Sequence, residues 1–95
     1  MYAIIRRYCP GSSIDELAQS RQRLGAALSQ TPGFVAAITV DENGGAPFTI
    51  ELFDDKASLV SATEVVEQWS AEQRERPGPA AVAVSTGEVI AQKGL

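Results

Sequence analysis

The strongest constraint on the fold is the order in which strand-like and helix-like patterns follow one another. Segments 2–8, 34–40 and 48–53 are rich in β-branched and aromatic residues, which favour strands. Between and after them, apolar residues recur at three- and four-residue spacing, which favours helices. A last strand is predicted in the later half of segment 81–92. The order is therefore strand, helix, strand, strand, helix, strand.

Local signals mark the ends of these elements. Ser13 and Glu16 have the spacing of a capping box, which satisfies backbone N–H groups at a helix start. Asp54 and Asp55 are N-cap candidates for the second helix. Gly87 is a candidate bulge or close-approach point in the last strand. Turn and breaker sequences separate the elements: Cys9-Pro10-Gly11, Thr31-Pro32-Gly33, Asn43-Gly44-Gly45 and Pro77-Gly78-Pro79.

Alternation along the strands assigns side chains to faces. The first strand places four residues on one face: Tyr2, Ile4, Arg6 and Tyr8. The second strand is predicted to place four apolar residues on one face: Phe34, Ala36, Ile38 and Val40. Thr39 and Glu51 then mark the opposite, more polar side of the hairpin.

Each helix has one apolar stripe. In the first helix the stripe consists of Ile14, Leu17, Leu24 and Leu28. Asp15, Arg21 and Arg23 are assigned to its solvent side. In the second helix the stripe consists of Leu59, Ala62, Val66 and Trp69.

These elements predict one α+β domain over residues 1–95, with ferredoxin-like βαββαβ topology. Two helices would cover one face of a four-stranded antiparallel sheet, which is the simplest compact arrangement for this order. A chain of 95 residues is too short for two separate cores. Because both faces of the first strand are partly apolar, we expect a second copy to cover the other face and form a homodimer.

Composition excludes several classes of function. The net charge is -4 and the eight basic residues are scattered, so no nucleic-acid partner is expected. No apolar run has the length of a membrane span, and the first residues lack the order of a secretory signal. We expect a cytoplasmic protein. Cys9 is the single cysteine and the chain has no histidine, so neither an internal disulfide nor a transition-metal site is predicted.

Several segments together resemble the dimeric α/β-barrel superfamily, specifically antibiotic-biosynthesis-monooxygenase-like domains. The similarity spans nearly the whole chain and rests on segment 2–8, Pro32-Gly33-Phe34, Phe53-Asp54-Asp55, Trp69 and Gly87-Glu88-Val89. It implies a dimeric barrel. That superfamily includes cofactor-independent oxygenases of aromatic polyketides, haem-degrading enzymes and proteins without an assigned reaction.

The resemblance also bears on cofactors. The haem-degrading members use a histidine that ligates iron, an asparagine in the first strand and a tryptophan in the second helix. Trp69 has a similar placement, whereas the chain has no histidine and Arg6 and Arg7 stand where the polar first-strand residue is expected. We therefore expect no cofactor and no metal. Oxygenation of a phenolic substrate without a cofactor is compatible with this sequence.

Five residues are candidate ligand-binding groups. Arg6 and Arg7 project to opposite faces, so one of them should lie near a pocket or the dimer interface, where a guanidinium could hold a carboxylate or enolate. The alternative for them is an ion pair with Glu51 or Glu88. Tyr2, Tyr8 and Trp69 could line an apolar cavity between sheet and helices. The alternative for Trp69 is core packing within its stripe.

Three functions remain open, and the catalytic residues are unknown. The first is a dimeric barrel that binds a small, mainly apolar or anionic metabolite. The second is a cofactor-independent monooxygenase acting on a phenolic or enolisable substrate, with Glu51 or Glu88 considered as a general base. The third is a structural or partner-binding dimer without catalysis. An enclosed cavity favours the first two, whereas a filled core favours the third.

Overall fold

The computed structural model describes residues 1–11, 13–43, 45–72 and 81–94. The four strands form one antiparallel sheet in the order β2-β3-β1-β4. This arrangement confirms the predicted ferredoxin-like α+β topology. The elements are β1 (Tyr2–Arg7), α1 (Ile14–Leu28), β2 (Phe34–Val40), β3 (Phe48–Phe53), α2 (Lys56–Glu72) and β4 (Ala83–Glu88).

The helix starts confirm the predicted caps. The backbone N–H of Glu16 donates to Ser13 Oγ at 3.3 Å. The backbone N–H of Ser58 donates to Asp55 Oδ1 at 2.8 Å, which makes Asp55 the N-cap of α2. Gly44 and the predicted breaker at 77–79 lie outside the described residues. None of the described helices is long and apolar enough to cross a membrane.

Gly33 joins α1 to β2 at the place where α2 begins. Its φ of +82° lies in the left-handed region that favours glycine, and a Cβ at this position would collide with the Ser58 side chain. The Gly33 carbonyl accepts a hydrogen bond from the Asp54 N–H at 2.8 Å. The start of β2 is therefore held directly against the start of α2.

The core lies between the two helices and one face of the sheet. The Phe34 and Phe53 rings meet edge to face with their centroids 5.9 Å apart. Both predicted helical stripes contribute, and Trp69 packs against the core, which was the alternative stated for it. The buried cluster is Ile4, Leu24, Leu28, Phe53, Leu59 and Ala62.

The predicted face assignment of β2 is wrong at its first residue. Phe34 pairs with Phe53 and Ala36 pairs with Leu52, with a register irregularity between them. Such a bulge inserts an extra residue and reverses the alternation. Phe34 therefore faces the helices, whereas Ala36, Ile38 and Val40 face the other way.

The last strand begins earlier than predicted. β4 covers Ala83–Glu88, and its register runs from Arg7 opposite Ala83 to Tyr2 opposite Glu88. Pairing with β1 therefore sets its position, and Ile90 beyond it is 96% exposed. Gly87 pairs with Ala3 in an unbroken register, and a Cβ there would meet nothing within 4 Å, so the bulge or close approach is absent.

The sheet faces differ from what the polar pattern suggested. Thr39 and Glu51 do share a side, but that side lies beneath the helices. Glu51 is 1% exposed and Thr49 is 2% exposed. The apolar residues of β2 and β3 form the uncovered face, where Ile38 is 50% exposed. This arrangement places polar groups in the interior next to α1.

Candidate functional site

A cavity of about 560 Å³ lies between α1 and the β2–β3 half of the sheet. Its two ends differ in polarity, because polar and apolar lining residues lie at different positions along the paired strands β2 and β3. Phe34 and Leu28 lie at one end, whereas Thr39 pairs with Thr49 at the other. The full lining is Ala18, Arg21, Gln22, Leu24, Gly25, Leu28, Phe34, Ala37, Thr39, Thr49 and Glu51. The cavity therefore has an apolar body and a polar end.

A buried ion pair stands at the polar end. Arg6 Nε donates to Glu51 Oε2 at 2.6 Å, and the two side chains are 11% and 1% exposed. The other oxygen, Glu51 Oε1, is buried and accepts no hydrogen bond from the described residues. Buried polar atoms are nearly always paired, so such an atom in a cavity wall marks a place for a donor.

The Arg21 side chain extends from α1, and its guanidinium lies near two aromatic rings. Its guanidinium carbon lies 5.6 Å from the Tyr8 ring centroid and 5.8 Å from that of Trp69. Nη2 donates to Ser20 Oγ at 3.3 Å, while Nε is buried without a partner among the described residues. Burial lowers the pKa of Arg21 below its ordinary value, an effect that Tyr8 and Glu51 partly offset. An arginine still keeps its charge at neutral pH.

Two threonines complete the polar end. Thr39 Oγ1 and Thr49 Oγ1 are 3.0 Å apart and share a hydrogen bond across β2 and β3. Each hydroxyl can both donate and accept, so the pair can still form further hydrogen bonds with a molecule in the cavity.

None of the five predicted site residues lines the cavity, but three of them contact the lining residues Glu51 or Arg21. Arg6 holds Glu51 in the ion pair that was the stated alternative for it. Tyr8 is 1% exposed, and its hydroxyl has no hydrogen-bond partner within the described part of the chain. Trp69 contacts Arg21. Tyr2 packs against the core instead. Arg7 is exposed, and its guanidinium carbon lies 5.6 Å from the Phe48 ring centroid.

Arg21 is the functional residue that the sequence interpretation missed. It was assigned to solvent, and that prediction is wrong because it lines the cavity. The signal that could have located it is spacing, since Arg21 follows Leu17 by four residues and precedes Leu24 by three. Ser20 follows Leu17 by three residues and precedes Leu24 by four, and it is 1% exposed.

The cavity residues do not fit a haem or a metal ion. The described residues contain no group of three or more histidine, cysteine, aspartate or glutamate side chains able to hold a metal. The described lining also lacks the side chains that usually ligate haem iron, which are histidine, cysteine, methionine and tyrosine. What it offers is a cation, a carboxylate oxygen and hydroxyls.

No protein-family model matches the chain, and no curated protein matches its sequence. Solved structures do match its fold. MhuD, a haem degrader from Mycobacterium tuberculosis solved with two haems in its active site, has a TM-score of 0.75 and 17% identity. The match covers 98% of this chain and 98% of that one.

Two further structures come from oxygenase-type proteins. SnoaB, a cofactor-independent oxygenase from Streptomyces nogalater, matches with a TM-score of 0.67 and 16% identity, over 99% of this chain and 95% of that one. A candidate antibiotic biosynthesis monooxygenase from Chloroflexus aurantiacus has a TM-score of 0.62 and 20% identity, over 98% and 96%. The chain thus shares the antibiotic-biosynthesis-monooxygenase-like fold that the resemblance predicted.

Proposed function

We propose that the protein is a homodimer in which each protomer binds a small, mainly apolar or anionic molecule between α1 and the sheet. The observation that carries this proposal is the cavity of about 560 Å³, which has apolar walls and a buried carboxylate oxygen that has no hydrogen-bond partner among the described residues. Its volume lies within the roughly 300–1,000 Å³ that is usual for small-molecule sites. A purely structural dimer would be expected to have a filled core here.

The uncovered sheet face supports the homodimer. Ile38 is 50% exposed, and Ile5, Ile50 and Phe48 on the same face are only partly covered. Contiguous apolar surface of this kind usually marks an interface. A second copy offers the same face, so a two-fold pairing of sheets would cover both. The cytoplasmic location expected from the sequence stays a prediction.

Binding is tested by closing the cavity from α1. A Cβ built on Gly25 meets nothing within 4 Å, so Gly25→Leu extends into open space and fills the cavity. Ala26→Leu adds a similar side chain at the neighbouring exposed position and serves as the control. The probes are α-naphthol and β-naphthoate, measured by isothermal titration calorimetry.

We expect the wild type and Ala26→Leu to bind at least one probe and Gly25→Leu to lose that binding. If Gly25→Leu binds a probe as tightly as the wild type, or if the wild type binds neither these probes nor a naphthalene that carries both groups, small-molecule binding in this cavity is wrong.

A cofactor-independent monooxygenase is the second candidate, and Glu51 favours it. Glu51 carries the one carboxylate among the described lining residues, and its Oε1 is unpaired. A base there could take the proton of a phenol, after which the resulting carbanion reacts with O₂. One oxygen atom enters the ring at the carbon para to the hydroxyl, the other leaves as water with the two hydrogens that the phenol loses, and the phenol becomes a quinone.

Oxygen uptake with a panel of naphthols whose para carbon carries hydrogen tests this second candidate. We expect uptake by the wild type and Ala26→Leu, and none by Gly25→Leu. Uptake that never exceeds the rate in buffer would leave the binding proposal intact and remove the oxygenase.

A further inference from the structure

We propose that the polar end of the cavity selects a ligand that carries both an anionic oxygen and a hydroxyl on an apolar body. Arg21 binds the anionic oxygen, and Glu51 Oε1 accepts the hydroxyl hydrogen. This inference rests on the proposed function and narrows the ligand to hydroxylated apolar monoanions.

The first step of the argument is charge. Arg6 and Glu51 neutralise each other at 2.6 Å. Arg21 forms no salt bridge within the described part of the chain, so the polar end has one positive charge in excess. A partly buried cation without a counter-charge is unfavourable, and a bound anion would compensate it.

The second step is the hydrogen-bond inventory. Arg21 Nε is a donor without an acceptor among the described residues, and Glu51 Oε1 is an acceptor without a donor there. The Tyr8 hydroxyl beside them, which can both donate and accept, is the third buried polar atom without a partner among those residues. A simple carboxylate would satisfy Arg21 and be repelled by Glu51. A simple alcohol would satisfy Glu51 and leave the cation uncompensated. A molecule that carries both groups at one end meets both requirements.

The third step is rigidity. The Arg21 guanidinium contacts the Tyr8 and Trp69 rings, with its carbon 5.6 and 5.8 Å from their centroids, and its Nη2 donates a hydrogen bond to Ser20 Oγ. A side chain already fixed in its bound position loses little conformational freedom when the ligand arrives. The apolar end near Leu28 and Phe34 then receives the body of the ligand.

Three probes with the same ring system test the inference. They are α-naphthol, β-naphthoate and the hydroxynaphthoate in which the two groups are meta, so that they do not bond to each other. Calorimetry on the wild type should find the hydroxynaphthoate about 10- to 100-fold tighter than either single-group probe. Arg21→Gln should reduce its affinity to that of α-naphthol or below, because Glu51 then repels the carboxylate without compensation.

Arg23→Gln is the matched control. It removes the same charge from an exposed position two residues along α1 that is outside the cavity lining. Its affinity for the hydroxynaphthoate should equal that of the wild type. Arg21→Lys should retain the preference for the anion but bind it more weakly, because lysine lacks the planar fork.

The possible failures separate the two proposals. If none of the three probes binds the wild type, the proposed function fails. If all three bind with equal affinity, or if Arg21→Gln and Arg23→Gln have equal effects, only the present inference is overturned. Circular dichroism checks the fold of each variant, and should Arg21→Gln not fold, the ranking of probes on the wild type decides.

Discussion

The two faces of the sheet carry opposite chemistry. Beneath the helices, the central strands β1 and β3 bury an arginine, a glutamate and a threonine beside the apolar core. On the uncovered face, the same strands and β2 present apolar residues, with Ile38 half exposed. A sheet that served only as a core scaffold would show the reverse, with polar residues toward water.

This inversion separates stability from function. A buried ion pair is often no more stabilising than well-packed apolar residues of similar volume. Arg6 and Glu51 are therefore poorly explained as a device for stability, but well explained as the wall of a polar site. The apolar outer face is explained by a second copy of the chain. Three predictions test the contrast between the faces, and a fourth tests a helix cap that lies outside both.

The largest effect, on assembly of the dimer, is expected on the uncovered face of the sheet. Ile38→Lys should convert the homodimer to monomers, because a charge in an apolar interface is strongly unfavourable. Val60→Lys is the matched control, since Val60 on α2 is 51% exposed and Ile38 is 50% exposed. Sedimentation velocity measures the assembly. A wild-type protein that is monomeric at all concentrations would remove the dimer from the proposal.

The next largest effect is expected on the inner face. Glu51→Leu should lower the free energy of unfolding by about 3–5 kcal/mol, because it leaves the Arg6 guanidinium buried without a partner. The double variant Arg6→Leu/Glu51→Leu should be more stable than Glu51→Leu alone. Urea unfolding measures both. If the double variant is the less stable of the two, Arg6 stabilises the fold even without Glu51, and the explanation by an unpaired buried charge is wrong.

A smaller effect is expected at the threonine pair. Thr39→Val leaves the buried Thr49 hydroxyl without its 3.0 Å partner and should lower the free energy of unfolding by about 1 kcal/mol. Thr39→Val/Thr49→Val removes both hydroxyls and should be closer to the wild type. Urea unfolding measures the two differences. A double variant twice as destabilised as the single one would show that the hydroxyls act independently.

The smallest effect is expected at the α2 N-cap, which lies outside both faces. The Ser58 N–H lowers the pKa of Asp55 below its usual 3.8. The cap therefore stabilises the fold above that pH and loses its effect as the pH falls through the lowered value. Asp55→Ala should lower the melting temperature by about 4 °C at neutral pH.

That difference should shrink once the pH is well below 3.8. Asp54→Ala changes the adjacent carboxylate and is the control. An Asp55→Ala difference that grew on acidification would contradict the assignment of the cap.

The sequence predicted the order of the elements, their caps and the two helical stripes, because these depend on local spacing and backbone hydrogen bonds. The exception is Ile14 at the start of the first stripe, which is 41% exposed. It did not predict which face of the hairpin the helices cover. Alternation separates Glu51 from Ile50 but does not say which of them lies inside. The bulge after Phe34 depends on pairing with β3, and the position of β4 depends on pairing with β1.

The site was predicted in part. Arg6, Tyr8 and Trp69 were named, whereas Arg21 was assigned to solvent because a charged side chain is rarely interior. Its spacing with Leu17 and Leu24 indicated otherwise. For Arg21, spacing along the helix was a better guide than residue type. The interior accommodates its guanidinium because a cavity lies there, and no local sequence pattern reveals that cavity.

Gly25 gives the cavity an adjustable size. A glycine within a helix weakens it by about 0.5–1 kcal/mol relative to alanine, and here the missing side chain opens on empty space. Replacing Gly25 with another residue through a single codon change would strengthen α1. It would also narrow the cavity by the volume of the new side chain. Selection for ligands of a different size could therefore act through this one position, without changing the residues at the polar end that recognise the ligand.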